Sequence, residues 1–258
     1  MFDGPLIIVG PAIIGSLSLT ALCGLLLVRR YVLPRLRVKE ADSEFSGAVV
    51  QSIMVFYGLA LALIAVNVWQ TYNDVSQTVS LEAITFATLY RDVSGYPDPI
   101  RGKVQQEIRG YVDQVIKGAW PIMRRGEIPT EGVEWMNRVE AALISFEPTT
   151  DGQRILHAET LAAFNRANQA RRMRVDAVHT GLPGVMWVVI VVGAIISTSA
   201  CFFFRVEDAR LHCILIVLLS TLIGLVITMT VAMNHPFRGD LGLSADPYQL
   251  VYDQLMKP

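Results

Sequence analysis

Histidine is the side chain best suited to proton transfer or metal ligation near neutral pH, and this chain has four of them, His157, His179, His212 and His235. No two stand at the i, i+3 or i, i+4 spacing that would set them on one helix face. The sequence also lacks a Gly-rich phosphate loop and a nucleophile elbow. These absences predict a protein that is not an enzyme and that uses neither a metal nor a cofactor. Cys23, Cys201 and Cys213 lie in or beside apolar runs without the short paired spacing of a zinc site or disulfide framework, so they read as buried apolar fillers.

The remaining polar groups of interest sit inside apolar surroundings. They are Ser16, Ser18 and Thr20, then Gln51, Ser52, Tyr57 and Asn67, then Ser197, Thr198 and Ser199, and finally Ser220, Thr221, Thr228 and Thr230. Most of the hydroxyls are expected to bond a carbonyl one turn back or a neighbouring helix. A primary amide is costlier, because hydrocarbon leaves several of its polar atoms unsatisfied. Gln51 and Asn67 therefore call for a protein or water environment, which either a pore surface or an interhelical hydrogen bond supplies. No ionisable residue accompanies them at membrane depth, which argues against a proton-coupled pump.

The elements that must position these groups follow from composition. Of 258 residues, 52% are hydrophobic and 17% charged, more apolar than a soluble domain of this size tolerates. The balance of 22 basic against 23 acidic residues gives no global field for nucleic acid. Four windows, 6–28, 47–68, 184–204 and 211–233, are long and apolar enough to cross a bilayer and carry no charge in their cores. Before the first, Asp3 precedes any basic residue, so that run reads as a retained membrane helix and not a secretory signal. Small-residue pairs Gly10 with Ser18, Gly58 with Ala62 and Gly193 with Ser197 permit close helix packing.

The second window continues as a helix, since Val68, Tyr72, Val75, Val79, Ala83, Phe86 and Tyr90 keep helical spacing toward Ser94. A stalk of this kind must pack against an inserted domain. Asp98 is the expected N-cap of a helix that begins at Pro99 and turns Ile100, Val104, Ile108, Val112, Val115 and Ala119 inward. Thr130 opens a helix with Trp135, Val139 and Leu143 inward. Asp151 opens another with Ile155, Leu161 and Phe164 inward. Asp246 before Pro247 is the expected cap of a short C-terminal helix carrying Tyr248, Val251 and Leu255. The fold class is thus an all-α integral membrane protein, four transmembrane helices in two pairs with a helical soluble domain inserted between them. Its divisions are 1–68 for the first pair, 69–182 for stalk and soluble domain, 183–234 for the second pair and 235–258 for a C-terminal amphipathic segment.

Two further stretches stand out. One is the exit of the second span, Phe56-Tyr57, then Trp69-Gln70-Thr71-Tyr72, then Glu82. The other is Asn234-His235-Pro236-Phe237-Arg238-Gly239-Asp240. Both resemble the bestrophin superfamily, and more closely its bacterial bestrophin-like members with a domain of unknown function, the second being similar to the family's Asn-Pro-Phe-Gly-acidic segment. The resemblance implies a multi-pass protein of the bacterial cell (inner) membrane, a homo-oligomer, specifically a pentamer, that conducts small inorganic ions, with chloride and other anions preferred. Its partners are the lipid bilayer, those ions and copies of itself, with no nucleic acid. The second span would line the pore, through Gln51, Val55, Leu59 and Leu63 or through the adjacent stripe Ser52, Phe56, Ala60 and Asn67. With only Asp240 and Asp246 after the Pro-Phe turn, calcium gating of the eukaryotic kind is not implied. The competing reading is a membrane-anchored sensor or interaction protein without a conducting pore.

Sidedness is open at this stage. The short connectors hold seven basic residues, Arg29, Arg30, Arg35, Arg37, Lys39, Arg205 and Arg210, with Glu40, Asp42 and Glu44 following the first group. The domain side of the spans holds five, Arg166, Arg171, Arg172, Arg174 and Arg238. Counting places the domain and both termini outside the cell, whereas the resemblance places them in the cytoplasm. Cysteine labelling at position 94 from either side of the membrane separates the two.

Overall fold

The computed structural model describes residues 6–35, 40–204, 206 and 208–257, with backbone alone at 40–46. Arg37, Lys39 and Arg205 lie outside the described residues, as do the side chains of Glu40, Asp42 and Glu44. Among the described residues every regular element is helical. The α-helices are α1 (Leu6–Leu27), α2 (Glu40–Val93), α3 (Ile100–Gln114), α4 (Trp120–Arg124), α5 (Gly132–Ile144), α6 (Asp151–Asp176), α7 (Gly184–Phe202), α8 (Ala209–Met233) and α9 (Asp246–Val251). Four segments are long and apolar enough to cross a membrane, at Leu6–Val32, within Gly47–Val93, at Gly184–Phe202 and at Ala209–Met233. They coincide with the four apolar windows of the sequence.

The chain divides into two compact units, Met1–Gln70 with Gly181–Asn234, and Thr71–Thr180 with His235–Pro258. In the first, α1 lies along α8 at close range because both carry small residues at the contact. A Cβ on Gly224 would stand 3.1 Å from Ile14 Cα, and one on Gly10 3.2 Å from Thr228. The Ser220 hydroxyl donates to Ser18 at 3.1 Å, so these hydroxyls satisfy one another away from water. Gly193 is needed where the Tyr57 ring covers it, a Cβ there falling 2.4 Å from the ring, but Gly58 meets nothing within 4 Å. Asp208 caps α8, accepting from the Arg210 amide at 2.8 Å.

The second unit has a dry core of Phe86, Leu89, Val93, Val104, Ile108, Tyr111, Val112, Met123, Val139, Leu143, Phe164, Phe237 and Tyr248. Phe86 stacks on Tyr111 with ring centroids 4.5 Å apart, which joins the stalk half of α2 to α3. The helix α6 starts on a reciprocal capping box, Thr150 accepting from the Gln153 amide while the Gln153 side chain reaches back. The segment after α8 is part of this core. Trp120 packs edge-on against both Phe237 and Tyr248, and its indole donates to the Leu243 carbonyl at 3.0 Å. Arg238 crosses Gly126 so closely that a Cβ there would overlap the guanidinium, and Gly126 adopts φ +77° besides.

Several local expectations are corrected. Pro99, not Asp98, is the N-cap of α3, and Asp98 pairs with Arg101 instead. Ala245 precedes α9 and no side chain caps it, so Asp246 is its first residue. The helix expected from Thr130 begins at Gly132. Ile155 is 69% exposed, and Leu156 packs on the core in its place, a one-residue error that turns a side chain by about 100°. Cys23 is exposed and the other two cysteines are half-buried, so none is a buried filler in the chain by itself. Arg171 and Arg174 are buried inside the second unit and are not solvated charges flanking a span.

Phe86→Asp would bury an unpaired carboxylate beside Tyr111 and is expected to cost about 4 kcal/mol. Ile155→Asp, on the outward side of α6, is expected to stay within about 0.5 kcal/mol of wild type. Thermal unfolding of the two variants checks the assignment of faces, and equal losses would contradict it.

Candidate functional site

In the first unit α2 has one packed side. Tyr57 and Leu61 are buried and Ile64 is partly buried, against Ile190 and Ala194 of α7 and Ile223 of α8. The Tyr57 hydroxyl donates to the Ile190 carbonyl at 3.1 Å, which satisfies that phenol within the apolar layer. Val68, one turn further on, is also buried. The opposite side of the helix carries the pore candidates of the sequence. Val55, Phe56, Leu59 and Leu63 are 62%, 74%, 58% and 62% exposed, and Gln51, Ser52 and Asn67 are exposed as well, with Ala60 half-buried. At about 100° per residue, Leu59 projects almost diametrically opposite the row Tyr57, Leu61, Ile64, Val68, whereas Phe56 stands about 70° away from that direction. The stripe Gln51, Val55, Leu59, Leu63 is therefore centred on the uncovered side. Its neighbour, through Phe56 and Ala60, lies nearer the packed edge.

In the second unit the polar groups converge on one carboxylate. Glu82, fully buried on the stalk half of α2, accepts from Arg174 Nε at 2.6 Å and from Nη2 at 3.2 Å, and from the Tyr111 hydroxyl at 2.7 Å. Arg174 also reaches Tyr111 Oη at 3.3 Å and Met123 Sδ at 3.0 Å, and its Cζ lies 5.8 Å from the Tyr248 ring centroid. Burial is the largest single influence and lowers the guanidinium pKa, but the charge and hydrogen bond of Glu82, together with Tyr248 and Tyr111, outweigh it and hold Arg174 well above the ordinary value. The phenols of Tyr111 and Tyr248 are pushed above their usual range, by burial first and by Glu82 second. The cluster is a fixed ion pair with neutral hydroxyls around it, an arrangement suited to holding five helices together and not to moving protons.

The motif residues of the sequence divide between the units. Trp69 is 48% exposed in the first. In the second, the Tyr72 hydroxyl donates to the Leu241 carbonyl at 2.8 Å, Pro236 and Phe237 are buried, and Gly239 turns the chain at φ +71° with Asp240 exposed beside it. The histidines do not gather. His157 meets the Tyr96 hydroxyl at 2.7 Å, His212 the Cys201 carbonyl at 3.1 Å and His235 the Thr180 carbonyl at 3.3 Å. Among the described residues no three His, Cys, Asp or Glu side chains stand where they could share a metal ion. Sequence reasoning gave Glu82 no structural role and took Arg174 for a surface charge. The available signal was an acid within the apolar stripe Val75, Val79, Ala83, Phe86, together with arginines at i, i+3 on the Phe164, Ala167 face of α6.

A family model described as the Bestrophin-like domain matches residues 16–248. No curated protein matches the chain. Among solved structures, a mutant of a bacterial bestrophin homologue from Klebsiella pneumoniae superposes with a TM-score of 0.69 at 9% identity, over 95% of this chain and 98% of the other. A structure described only as a membrane protein, also a point mutant, superposes at 0.66 with 9% identity over 95% and 97%. These likenesses establish the fold, an all-α integral membrane protein with four transmembrane helices in two pairs and an inserted helical domain.

Arg174→Met leaves Glu82 buried without its partner and is expected to cost about 3–5 kcal/mol, while adding Glu82→Met should restore most of that loss. Stability should also fall as pH rises through about 10, where tyrosines of the unfolded chain ionise and Tyr111 and Tyr248 do not. Denaturant unfolding of the single and double variants provides the check. A single variant as stable as wild type would contradict the role given to the pair.

Proposed function

The chain belongs to the bestrophin-like family, and from that membership we propose that it is a homo-oligomeric ion channel of the cell inner membrane, five copies closing a ring that conducts small ions, anions in preference to cations. The observation that carries the proposal is the two-sidedness of α2 in the first unit. One side is committed to α7 and α8 through Tyr57 and Leu61, and on the other Val55, Leu59 and Leu63 stay largely exposed among the described residues.

In a ring of copies, the stripe Gln51, Val55, Leu59 and Leu63 lines the conduction path. It begins with an amide and continues as an apolar constriction three residues long. Such a constriction offers no group that replaces an ion's hydration shell, so it gates by dewetting. Nothing in this reading requires a covalent step or a cofactor.

Leu59→Ala is expected to raise ion flux through purified protein in liposomes, because it widens the constriction at its middle. Phe56→Ala, off the stripe, should leave the flux near wild type. A conducting protein whose flux responds to neither substitution would take the pore away from α2, and a protein that conducts nothing would leave the anchored sensor as the better reading.

A further inference from the structure

A cleft of about 510 Å³ opens on the second unit, lined by residues of α3 and α5 and by Tyr252 just after α9. Sites for small molecules have volumes of about 300–1,000 Å³, so a ligand of modest size fits. A glycine makes room for its aromatic wall. A Cβ on Gly110 of α3 would stand 2.2 Å from the Trp135 ring of α5, so the indole lies directly against the α3 backbone. The Tyr252 hydroxyl, also on the lining, has no hydrogen-bond partner and is not sealed from water.

Four charged side chains line the cleft, and two of them are already paired within their own helices, Asp113 with Lys117 at 2.6 Å and Arg138 with Glu134. The other two are not. Glu107 makes no ion pair and accepts no hydrogen bond among the described residues, although Arg138 lies within range of its charge. Arg109 donates through Nη2 to the neutral Tyr90 hydroxyl at 3.0 Å, its Nε is buried without an acceptor, and its Nη1 is bonded to nothing and open to solvent. The two do not cancel each other, because side chains two apart on a helix project to different sides. The cleft thus presents one open carboxylate and one open guanidinium edge. These select the ligand. A simple anion meets Arg109 but is repelled by Glu107, and a simple cation the reverse. A metal ion lacks ligands, since no three His, Cys, Asp or Glu side chains gather among the described residues. A quaternary ammonium has no free ring face, because the Arg138 guanidinium already lies over Trp135 with Cζ 4.9 Å from the ring centroid. A molecule carrying both charges answers both groups at once.

We propose that this cleft binds a small zwitterion of the amino-acid class, its carboxylate accepting from Arg109 Nη1 and its ammonium donating to Glu107, with the body of the molecule against Trp135. Both contacts are charge-assisted hydrogen bonds, the stronger kind. The site is made entirely of residues of the second unit. Its occupancy does not depend on whether the chain conducts.

The test titrates the full chain in detergent, by isothermal calorimetry, with the L-amino acids from glycine to tryptophan, each beside its analogue without the amine and its analogue without the carboxylate. At least one amino acid is expected to bind, and either analogue of it to bind about tenfold more weakly or worse, since each leaves one ion of the cleft unmatched. Glu107→Gln and Arg109→Gln should each weaken the amino acid by a similar factor. Glu107→Gln should leave the affinity for the amine-less analogue as it was, a readout that a general loss of fold would not give. No binding across the series, an analogue as tight as its parent, or an unchanged amino-acid affinity in Glu107→Gln would each overturn the proposal.

Discussion

A carboxylate at zero exposure cannot remain in a protein core unless its lone pairs are taken, and in this chain Glu82 meets that demand by drawing distant segments to one point. Its partner Arg174 lies 92 positions later on α6, and the Tyr111 hydroxyl comes from α3. The Tyr248 ring closes over the guanidinium from α9. Each contributes a group that would be costly if left alone. The stalk, the inserted helices and the segment after α8 are therefore bound into one core by a polar requirement as well as by apolar contact. Replacing the pair by apolar side chains of like volume would relieve the requirement, so its value is in specifying which helices meet more than in added stability.

The long helix α2 is read differently along its length. In the first unit it buries Tyr57 and Leu61 and leaves Val55, Leu59 and Leu63 open, an apolar helix with a packed side and an unpacked side. In the second it buries Val75, Val79, Glu82, Ala83, Phe86 and Leu89, an amphipathic helix with a dry side and a wet one. One continuous element thus supplies the candidate conduction surface and the residue on which the soluble core is organised.

Much of the architecture was legible because bilayer thickness and helical period leave few alternatives. The four spans followed from the length of uncharged apolar runs, and the inward face of α3 followed from Val104, Ile108, Val112 and Val115. Errors arose where one residue decides the outcome. Pro99 holds the cap position that Asp98 was expected to take, and Leu156 displaces Ile155 because both fit an apolar face one residue apart. The arginines of α6 misled for a different reason. A count of charges near a span treats each as solvated; only the helical register that sets Arg174 on the Phe164, Ala167 face separates it from Arg172, and its partner is 92 residues away.

The account requires that the uncovered side of α2 meet copies of the same chain, so the number of chains in the purified particle tests it most directly. Light scattering with the detergent contribution subtracted measures that number without any substitution. The account predicts a protein mass of five 28.5 kDa chains. A mass of one chain would contradict it, since no central path can then exist.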